Sequence, residues 1–166
     1  TALVQVIARN TEGVVMRVLN GGQIGRNKAV TVKRNLNLPA LTEKDISAIK
    51  IGRSLGLSNF ALSFANSPSD VKLFKKLTGN HATIISKIES LSGLRNLEAI
   101  AKLSNALLID RGDLSTETNI ETLGINQKKI IKASIESAKP VIVATEMLDN
   151  MINSPHPTKA EVLRSQ

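Results

Sequence analysis

Short apolar runs alternate with segments of helical spacing, and this alternation restricts the possible folds more than any other feature of the chain. Beyond residue 38, runs of nearly continuous apolar residues occupy 60–64, 82–88, 105–110 and 140–145. Parallel strands joined by helical crossovers produce this order, and strands covered by helices do not need a polar face. The sequence therefore predicts an α/β fold with a parallel sheet.

Helices are predicted between and after these strands. Thr42 is a suitable N-cap for a helix that begins at Glu43 and runs to about Gly56. Further helices are predicted from about Ser67, over 94–103, over 126–138, and within "SPHPTKAEV" near the end of the sequence.

The first part of the chain has a different pattern. From Val4 to about Val32, the β-type runs "VQVIA", "GVVMRVL" and "AVTV" are separated by the turn-forming segments "NTEG" and "NGGQIGRNK". This pattern indicates a small antiparallel β segment. We expect a domain boundary near residue 38, which divides the chain into domains 1–38 and 39–166.

Four strand–helix units fit one half of an eight-stranded barrel, and they also fit a small doubly wound sheet. Periodicity alone does not separate these two folds. Polar side chains stand where each strand ends: Ser63; Lys87 and Glu89; Asp110, Arg111 and Asp113; Thr145 and Glu146. In a (β/α) barrel this edge carries the active site. We therefore predict a partial (β/α)8 TIM barrel of about four βα units.

Composition argues against several classes of function. The net charge of +8 would attract polyanions, but the basic residues lie in separate groups, and the chain has no Trp or Tyr to stack on unpaired bases. We expect no specific nucleic-acid binding. Because no apolar stretch approaches the roughly 20 residues of a membrane span, we expect no membrane association. The absence of cysteine fits a cytoplasmic protein.

The strand "IISKI" continues into charged residues. Ile85, Lys87 and Glu89 alternate along an extended chain, so their side chains are predicted to share one face. Charges at the edge of a core are costly unless they are paired or bound to a ligand. Two interpretations stay open from the residues alone: a salt bridge that closes the top of the barrel, or a ligand site.

The next strand adds Asp113, and Gly112 permits close approach of the backbone to a ligand. Glu89 and Asp113 are hard oxygen ligands of the kind that Mg²⁺ prefers. Backbone N–H groups near Gly112 and Asp113 can hold an anion if a helical turn starts at Asp113 or Leu114. Alternatives are an ordinary tight turn for "RGDL" and a helix cap for Thr145. Together these groups suit a small phosphorylated or enolate-forming acid.

Eight motifs occur in a recognisable order: "NGGQIG", "NLPALTEKD", "ALSF", "IISKIES", "RGDL", "QKKII", "KPVIVATEMLDNM" and "PHPTKAEV". Through them the chain resembles pyruvate kinase, as a middle section that joins the end of the small β (lid) domain to the central part of the barrel. The resemblance implies a glycolytic transferase that moves a phosphoryl group from phosphoenolpyruvate to ADP, giving pyruvate and ATP. It also implies a homo-oligomer for the complete protein.

Site residues follow from the resemblance position by position. Lys87 matches the catalytic lysine, and Glu89 and Asp113 match the carboxylates that bind Mg²⁺ (or Mn²⁺). Gly112 and Asp113 match backbone donors to the substrate carboxylate, and Thr145 matches the threonine beside the methylene carbon. Arg111 belongs with the substrate-binding residues. Potassium is also expected for the family, but its ligands are not expected in this chain.

The chain also departs from the family pattern. Asp110 replaces an alanine, Ser115 a glycine and Glu146 a glutamine, while His156 and Lys159 replace arginines. Asp110 and Glu146 add negative charge that opposes binding of an anionic substrate. Alternatives are therefore a catalytically silent homologue that binds a ligand or partner, and a magnesium-enolate carbon–carbon lyase. Because half of the barrel is not expected in the sequence, we expect the isolated chain to be inactive.

Overall fold

The structure is a computed structural model that describes residues 2–26, 30, 32, 38–118, 120–144, 147–158 and 161–162. The chain divides into two compact units, Thr1–Leu36 and Asn37–Gln166. In the described residues, no helix is long and apolar enough to span a bilayer.

The first unit contains an antiparallel hairpin. Strand β1 (Leu3–Arg9) pairs with β2 (Val14–Asn20), and the side chain of Asn10 stabilises the turn by accepting hydrogen bonds from the amides of Glu12 and Gly13. The predicted antiparallel segment is thus confirmed for its first two runs. The third run, "AVTV" at 29–32, falls largely outside the described residues.

The second unit is built on a parallel sheet. Its strands are β3 (Asn59–Leu62), β4 (Thr83–Ile88), β5 (Ala106–Asp110) and β6 (Val141–Ala144). Within the described part of the chain they pair in sequence order, β3-β4-β5-β6, and every pair is parallel. A doubly wound sheet reverses its strand order at a switch point, whereas a barrel advances by one strand at each crossover. The consecutive order is the barrel arrangement.

Helices occupy the intervals between these strands. They are α1 (Glu43–Ser54), α2 (Pro68–Thr78), α3 (Leu91–Arg95), α4 (Leu97–Leu103), α5 (Arg111–Glu117) and α6 (Leu123–Glu136). Short 3₁₀ turns lie at Ile120–Thr122 and Asp149–Ile152. The α/β class predicted from the sequence is therefore confirmed.

Local side-chain chemistry explains where the first helix begins. The hydroxyl of Thr42 accepts a hydrogen bond from the Asp45 amide at 3.3 Å, and the Asp45 carboxylate accepts one from the Thr42 amide at 2.8 Å. This reciprocal capping box satisfies two amides that the helix itself leaves unpaired. The predicted cap at Thr42 is confirmed.

One helix prediction was wrong, and a further helix begins at a residue that the sequence analysis did not consider as a helix start. The single helix expected over 94–103 is divided at Asn96, whose side-chain amide donates to the Asn66 carbonyl at 2.8 Å. The helical turn considered as a condition for anion binding, at Asp113 or Leu114, is part of α5, which begins at Arg111 with Asp110 as its N-cap. In both places the side chain of a polar residue bonds to a backbone group.

The core lies between the parallel sheet and its helices. Along β4, Ile84, Ser86 and Ile88 are fully buried, whereas the alternate residues Ile85 and Lys87 are only half-buried. Buried side chains from α2, α4 and α6 complete this core: Val71, Phe74, Ile100 and Ile130. The period of two along the strand therefore directs one face into the core and leaves Lys87 on the opposite face.

Candidate active site

The end of β4 brings a cation and a buried carboxylate together. Lys87 Nζ lies 2.6 Å from Glu89 Oε1. The Glu89 side chain is 1% exposed, whereas that of Lys87 is 22% exposed. The prediction that Lys87 and Glu89 share one face is confirmed, and the direct ion pair between them is compatible with both interpretations drawn from the sequence.

Glu89 is held by the loop that follows β3. Its Oε2 accepts a hydrogen bond from the Phe64 amide at 2.6 Å, and the Ala65 amide donates to the Lys87 carbonyl at 3.2 Å. Phe64 has φ of +49°, an uncommon conformation for a residue with a side chain. The other carboxylate oxygen, Oε1, is buried, and its contact is the 2.6 Å ion pair with the Lys87 ammonium.

The same loop is in close contact with the start of α3. A Cβ atom at Gly93 would lie 2.9 Å from the Ala65 carbonyl oxygen, which is too close for any other residue without a backbone shift. The Ser90 hydroxyl caps α3 by accepting from the Gly93 amide at 3.0 Å, and it donates to the Asn66 side chain. These contacts fix the backbone that presents Glu89.

The end of β5 contributes two more carboxylates. Asp110 Oδ2 lies 3.4 Å from Lys87 Nζ, and Asp110 Oδ1 accepts from the Asp113 amide at 3.5 Å. One carboxylate oxygen from each of Glu89, Asp110 and Asp113 lies within 4.8 Å of the other two. Hard oxygen donors from two neighbouring strand ends are the type of ligand set that Mg²⁺ takes.

Asp110 was not included among the metal ligands predicted from the sequence. The sequence indicated it only as one of the polar residues at the strand ends and as a departure from the family pattern that adds negative charge. The signal was nevertheless present, because Asp110 has the parity of Leu108 and ends its strand. The structure shows that it contacts Lys87 and lies beside Glu89 and Asp113.

The charge of Lys87 is set by these neighbours. Burial acts to lower the pKa of its ammonium, but the hydrogen bond and charge of Glu89 and the charge of Asp110 outweigh this effect and raise the pKa. Lys87 is therefore a protonated group at neutral pH, held beside two anions.

The remaining predicted residues lie in α5, near Lys87, or outside the described part of the chain. Arg111 is buried at the first position of α5, and Gly112 follows it in the same turn. Ser63 Oγ is 3.5 Å from Lys87 Nζ, a weak contact. Thr145 and Glu146 lie outside the described residues. A shallow groove between α4 and α6 contains none of the residues predicted for the site.

Comparison with known proteins identifies the chain at the family level. A family model described as the barrel domain of pyruvate kinase matches residues 2–165. The chain belongs to the pyruvate kinase family. The resemblance drawn from the sequence motifs is thus confirmed, and with the consecutive parallel strands it confirms the fold as part of a (β/α) barrel.

Curated members of the family are similar to this chain over most of its length. It is 41% identical over 154 residues to a pyruvate kinase of Mycobacterium tuberculosis (strain ATCC 25618 / H37Rv), with 90% of this chain and 33% of that protein covered. With a pyruvate kinase of Agrobacterium vitis it shares 43% identity over 149 residues, covering 89% of this chain and 31% of the relative. The chain therefore spans about one third of the length of these relatives.

Proposed function

We propose that this chain carries the lysine and divalent-cation part of a site that transfers a phosphoryl group from phosphoenolpyruvate to ADP, giving pyruvate and ATP. The observation that carries the proposal is the position of Lys87, whose ammonium is 2.6 Å from the buried Glu89 at the carboxyl edge of parallel strands. Active sites of (β/α) barrels are built at this edge. Family membership supports the same reaction class.

Lys87 has the role of stabilising charge that develops during the reaction. Negative charge moves onto the phosphoryl group and the enolate, and a fixed ammonium favours that state over the ground state. Glu89 positions the ammonium through their ion pair, and Glu89 is itself held by the Phe64 amide. The protein thus supplies orientation and electrostatics, which account for most of catalysis in phosphoryl transfer.

Glu89 and Asp113 are the proposed ligands of Mg²⁺ or Mn²⁺. Their fit rests on hard oxygen donors from two elements, with one oxygen of each carboxylate within 4.8 Å of the other. When bound, the ion would act as a Lewis acid and as a template for the substrate oxygens. No ligand for K⁺ is assigned among the described residues.

The substrate itself is assigned to groups around the first turn of α5. We assign its carboxylate to the backbone N–H groups of Gly112 and Asp113, with Arg111 beside them. Amides in the first turn of a helix have no partner within the helix, and the contact of the Asp113 amide with the capping Asp110 side chain is long, at 3.5 Å. Thr145 is assigned a position beside the methylene carbon of the substrate.

We also propose two domains, a small β domain of 1–38 and a barrel domain of 39–166. For the complete protein we propose a cytoplasmic location and a homo-oligomer.

Manganese titration, followed by the electron paramagnetic resonance signal of free Mn²⁺, tests the cation site. We expect one saturable site that is lost when Glu89→Gln is combined with Asp113→Asn. Lys87→Met should leave affinity near normal, because the lysine is not a ligand. Glu98→Gln, an exposed carboxylate on α4, is the matched control. Unchanged binding by the double variant would remove the proposed site.

A second candidate is a homologue that binds a ligand or a partner without turnover. It is favoured by the 3.4 Å contact between Asp110 and Lys87, which places an extra carboxylate beside the proposed catalytic cation. A coupled assay of phosphoenolpyruvate and ADP turnover, with Mg²⁺ and K⁺ and with the complete protein, separates the two. Binding of phosphoenolpyruvate without product would favour this candidate.

A further inference from the structure

The Asp110 carboxylate contacts two of the groups that the proposed function assigns to the substrate. One of its oxygens, Oδ2, lies 3.4 Å from Lys87 Nζ, and the other, Oδ1, accepts from the Asp113 amide at 3.5 Å. The ammonium is assigned to the phosphoryl group and the enolate, and the amide is assigned to the substrate carboxylate. One side-chain anion therefore lies across donors assigned to the two ends of an anionic substrate.

The donors of Lys87 are already in use. An ammonium group has three N–H donors, and three acceptors contact it among the described residues. They are Glu89 Oε1 at 2.6 Å, Asp110 Oδ2 at 3.4 Å and Ser63 Oγ at 3.5 Å. A substrate oxygen that binds this ammonium must therefore compete with one of these three partners for a donor.

The two carboxylates that contact Lys87 differ in how firmly they are held. The Glu89 side chain is 1% exposed, and its second oxygen accepts from the Phe64 amide at 2.6 Å. The Asp110 side chain is 21% exposed, and its contacts with Lys87 and with the Asp113 amide are both long for hydrogen bonds. Asp110 is therefore the anion that leaves Lys87 at the smaller cost in free energy.

We propose that the phosphorylated substrate displaces the Asp110 carboxylate from Lys87 and from the Asp113 amide, so that Asp110 weakens substrate binding. This inference rests on the proposed function, because it concerns the same lysine and the same substrate. Exchange of one anion for another gives Lys87 little net gain in ground-state binding. Its charge then acts mainly in the transition state, where negative charge moves onto the phosphoryl group and the enolate.

Calorimetric titration of the complete protein with phosphoenolpyruvate and Mg²⁺, without ADP, tests the displacement. Asp110→Ser is the main variant, because serine is as good an N-cap as aspartate but has no carboxylate, so the start of α5 is preserved. We expect the Kd for phosphoenolpyruvate to fall about 5-fold, the size of one partly exposed ion pair. In the coupled assay, KM should fall while kcat is unchanged. Glu117→Gln, which removes a carboxylate charge from the same helix, is the control and should leave both values near those of the parent.

A double-variant cycle separates displacement from repulsion at a distance. Lys87→Met removes the ammonium for which Asp110 and the substrate compete, so Asp110→Ser should change the Kd much less in this background than in the parent. Repulsion between the Asp110 charge and the substrate would persist without the lysine. An equal gain in affinity in both backgrounds would therefore overturn the displacement from Lys87.

Failure of this inference is distinguishable from failure of the proposed function. Binding of phosphoenolpyruvate with the same Kd in Asp110→Ser and in the parent would overturn the displacement and leave the proposed function intact. Absence of binding in the parent and in every variant would overturn both. Thermal unfolding of each variant checks that the affinities are compared between folded proteins.

Discussion

At the scale of single residues, Lys87 is the centre of the site. Its ammonium contacts Glu89 at 2.6 Å and Asp110 at 3.4 Å, and the pKa of Lys87 is raised because these anions outweigh the effect of burial. A lysine pKa that is raised on folding means that the charged form stabilises the folded state. This contribution to the free energy of unfolding is fully present below the ordinary lysine pKa and is lost as the pH rises through the raised value. At neutral pH the ammonium is therefore charged, as its proposed role requires.

Lys87→Met, made in a complete enzyme that carries this segment, should lower kcat by about 10²–10³ with a modest change in KM. The reason is that the ammonium stabilises charge that forms in the transition state and is smaller in the ground state. A coupled assay of pyruvate formation measures the effect, with Lys44→Met on the exposed side of α1 as the control. Equal turnover by the Lys87→Met variant and the parent would overturn the assignment.

At the scale of elements, a reciprocal pair of hydrogen bonds decides where the first helix begins. The Thr42–Asp45 capping box starts α1, and the pKa of Asp45 is lowered because its carboxylate accepts hydrogen bonds from the side chain and the amide of Thr42. A lowered carboxyl pKa stabilises the helix above the ordinary aspartate pKa, and the effect is lost as the pH falls through the lowered value.

Thr42→Ala should therefore raise the pKa of Asp45 toward its ordinary value, because the hydroxyl that donates to the carboxylate is removed. A ¹³C NMR titration of the side-chain carboxyl between pH 2 and about 6 measures this change. Ser47→Ala is the matched control, since its hydroxyl donates to the Glu43 carbonyl on the same helix. An Asp45 pKa that is the same in Thr42→Ala and the parent would show that the cap does not set it.

Gly93 is the second element-scale feature, because it lets α3 approach the loop after β3. Gly93→Ala should lower stability by about 1–3 kcal/mol, since a Cβ would lie 2.9 Å from the Ala65 carbonyl. Gly124→Ala in α6 is the control, because a Cβ added at this position would have nothing within 4 Å. The higher helix propensity of alanine should therefore stabilise the protein by up to about 1 kcal/mol.

Urea unfolding measures both glycine variants. The two variants should change stability in opposite directions although the substitution is the same. Equal effects of Gly93→Ala and Gly124→Ala would show that the contact between α3 and the Ala65 loop does not restrict position 93.

At the scale of the whole molecule, the parallel sheet has two outer strands among the described residues, β3 and β6. The side of the sheet that carries Ile85, Leu108 and Ile142 is only partly buried, and Ile142 is 44% exposed. Exposed edges and apolar sheet surface recruit other chains.

We therefore expect these 166 residues, prepared alone, to self-associate and to show no phosphoryl transfer. Correct positioning of reactants can be worth about 7–11 kcal/mol of barrier, and a partial barrel holds the substrate incompletely. Sedimentation velocity and the coupled assay on one sample test both points. Ile142→Lys should reduce the association, because a charge on an edge strand opposes strand addition. A stable monomer with turnover would contradict this prediction.

Local patterns in the sequence were sufficient to predict the strands and most of the helices of this fold. The apolar runs, the alternation of strands with helices, and the cap at Thr42 depend on neighbours a few residues apart, which the sequence displays directly. The shared face of Lys87 and Glu89 follows from the period of a strand in the same way. Recognition of the family rested on motifs in order.

Tertiary structure decided what depends on distant residues. The strand order, which separates a barrel from a doubly wound sheet, depends on how whole elements pair. The hydrogen bond from the Phe64 amide to Glu89, and the one from Asn96 to the Asn66 carbonyl at the helix break, each join residues more than 20 positions apart. The same is true of Asp110, whose carboxylate meets Lys87 only because β4 and β5 are paired. Local periodicity does not predict such contacts, because they form only when the elements pack side by side.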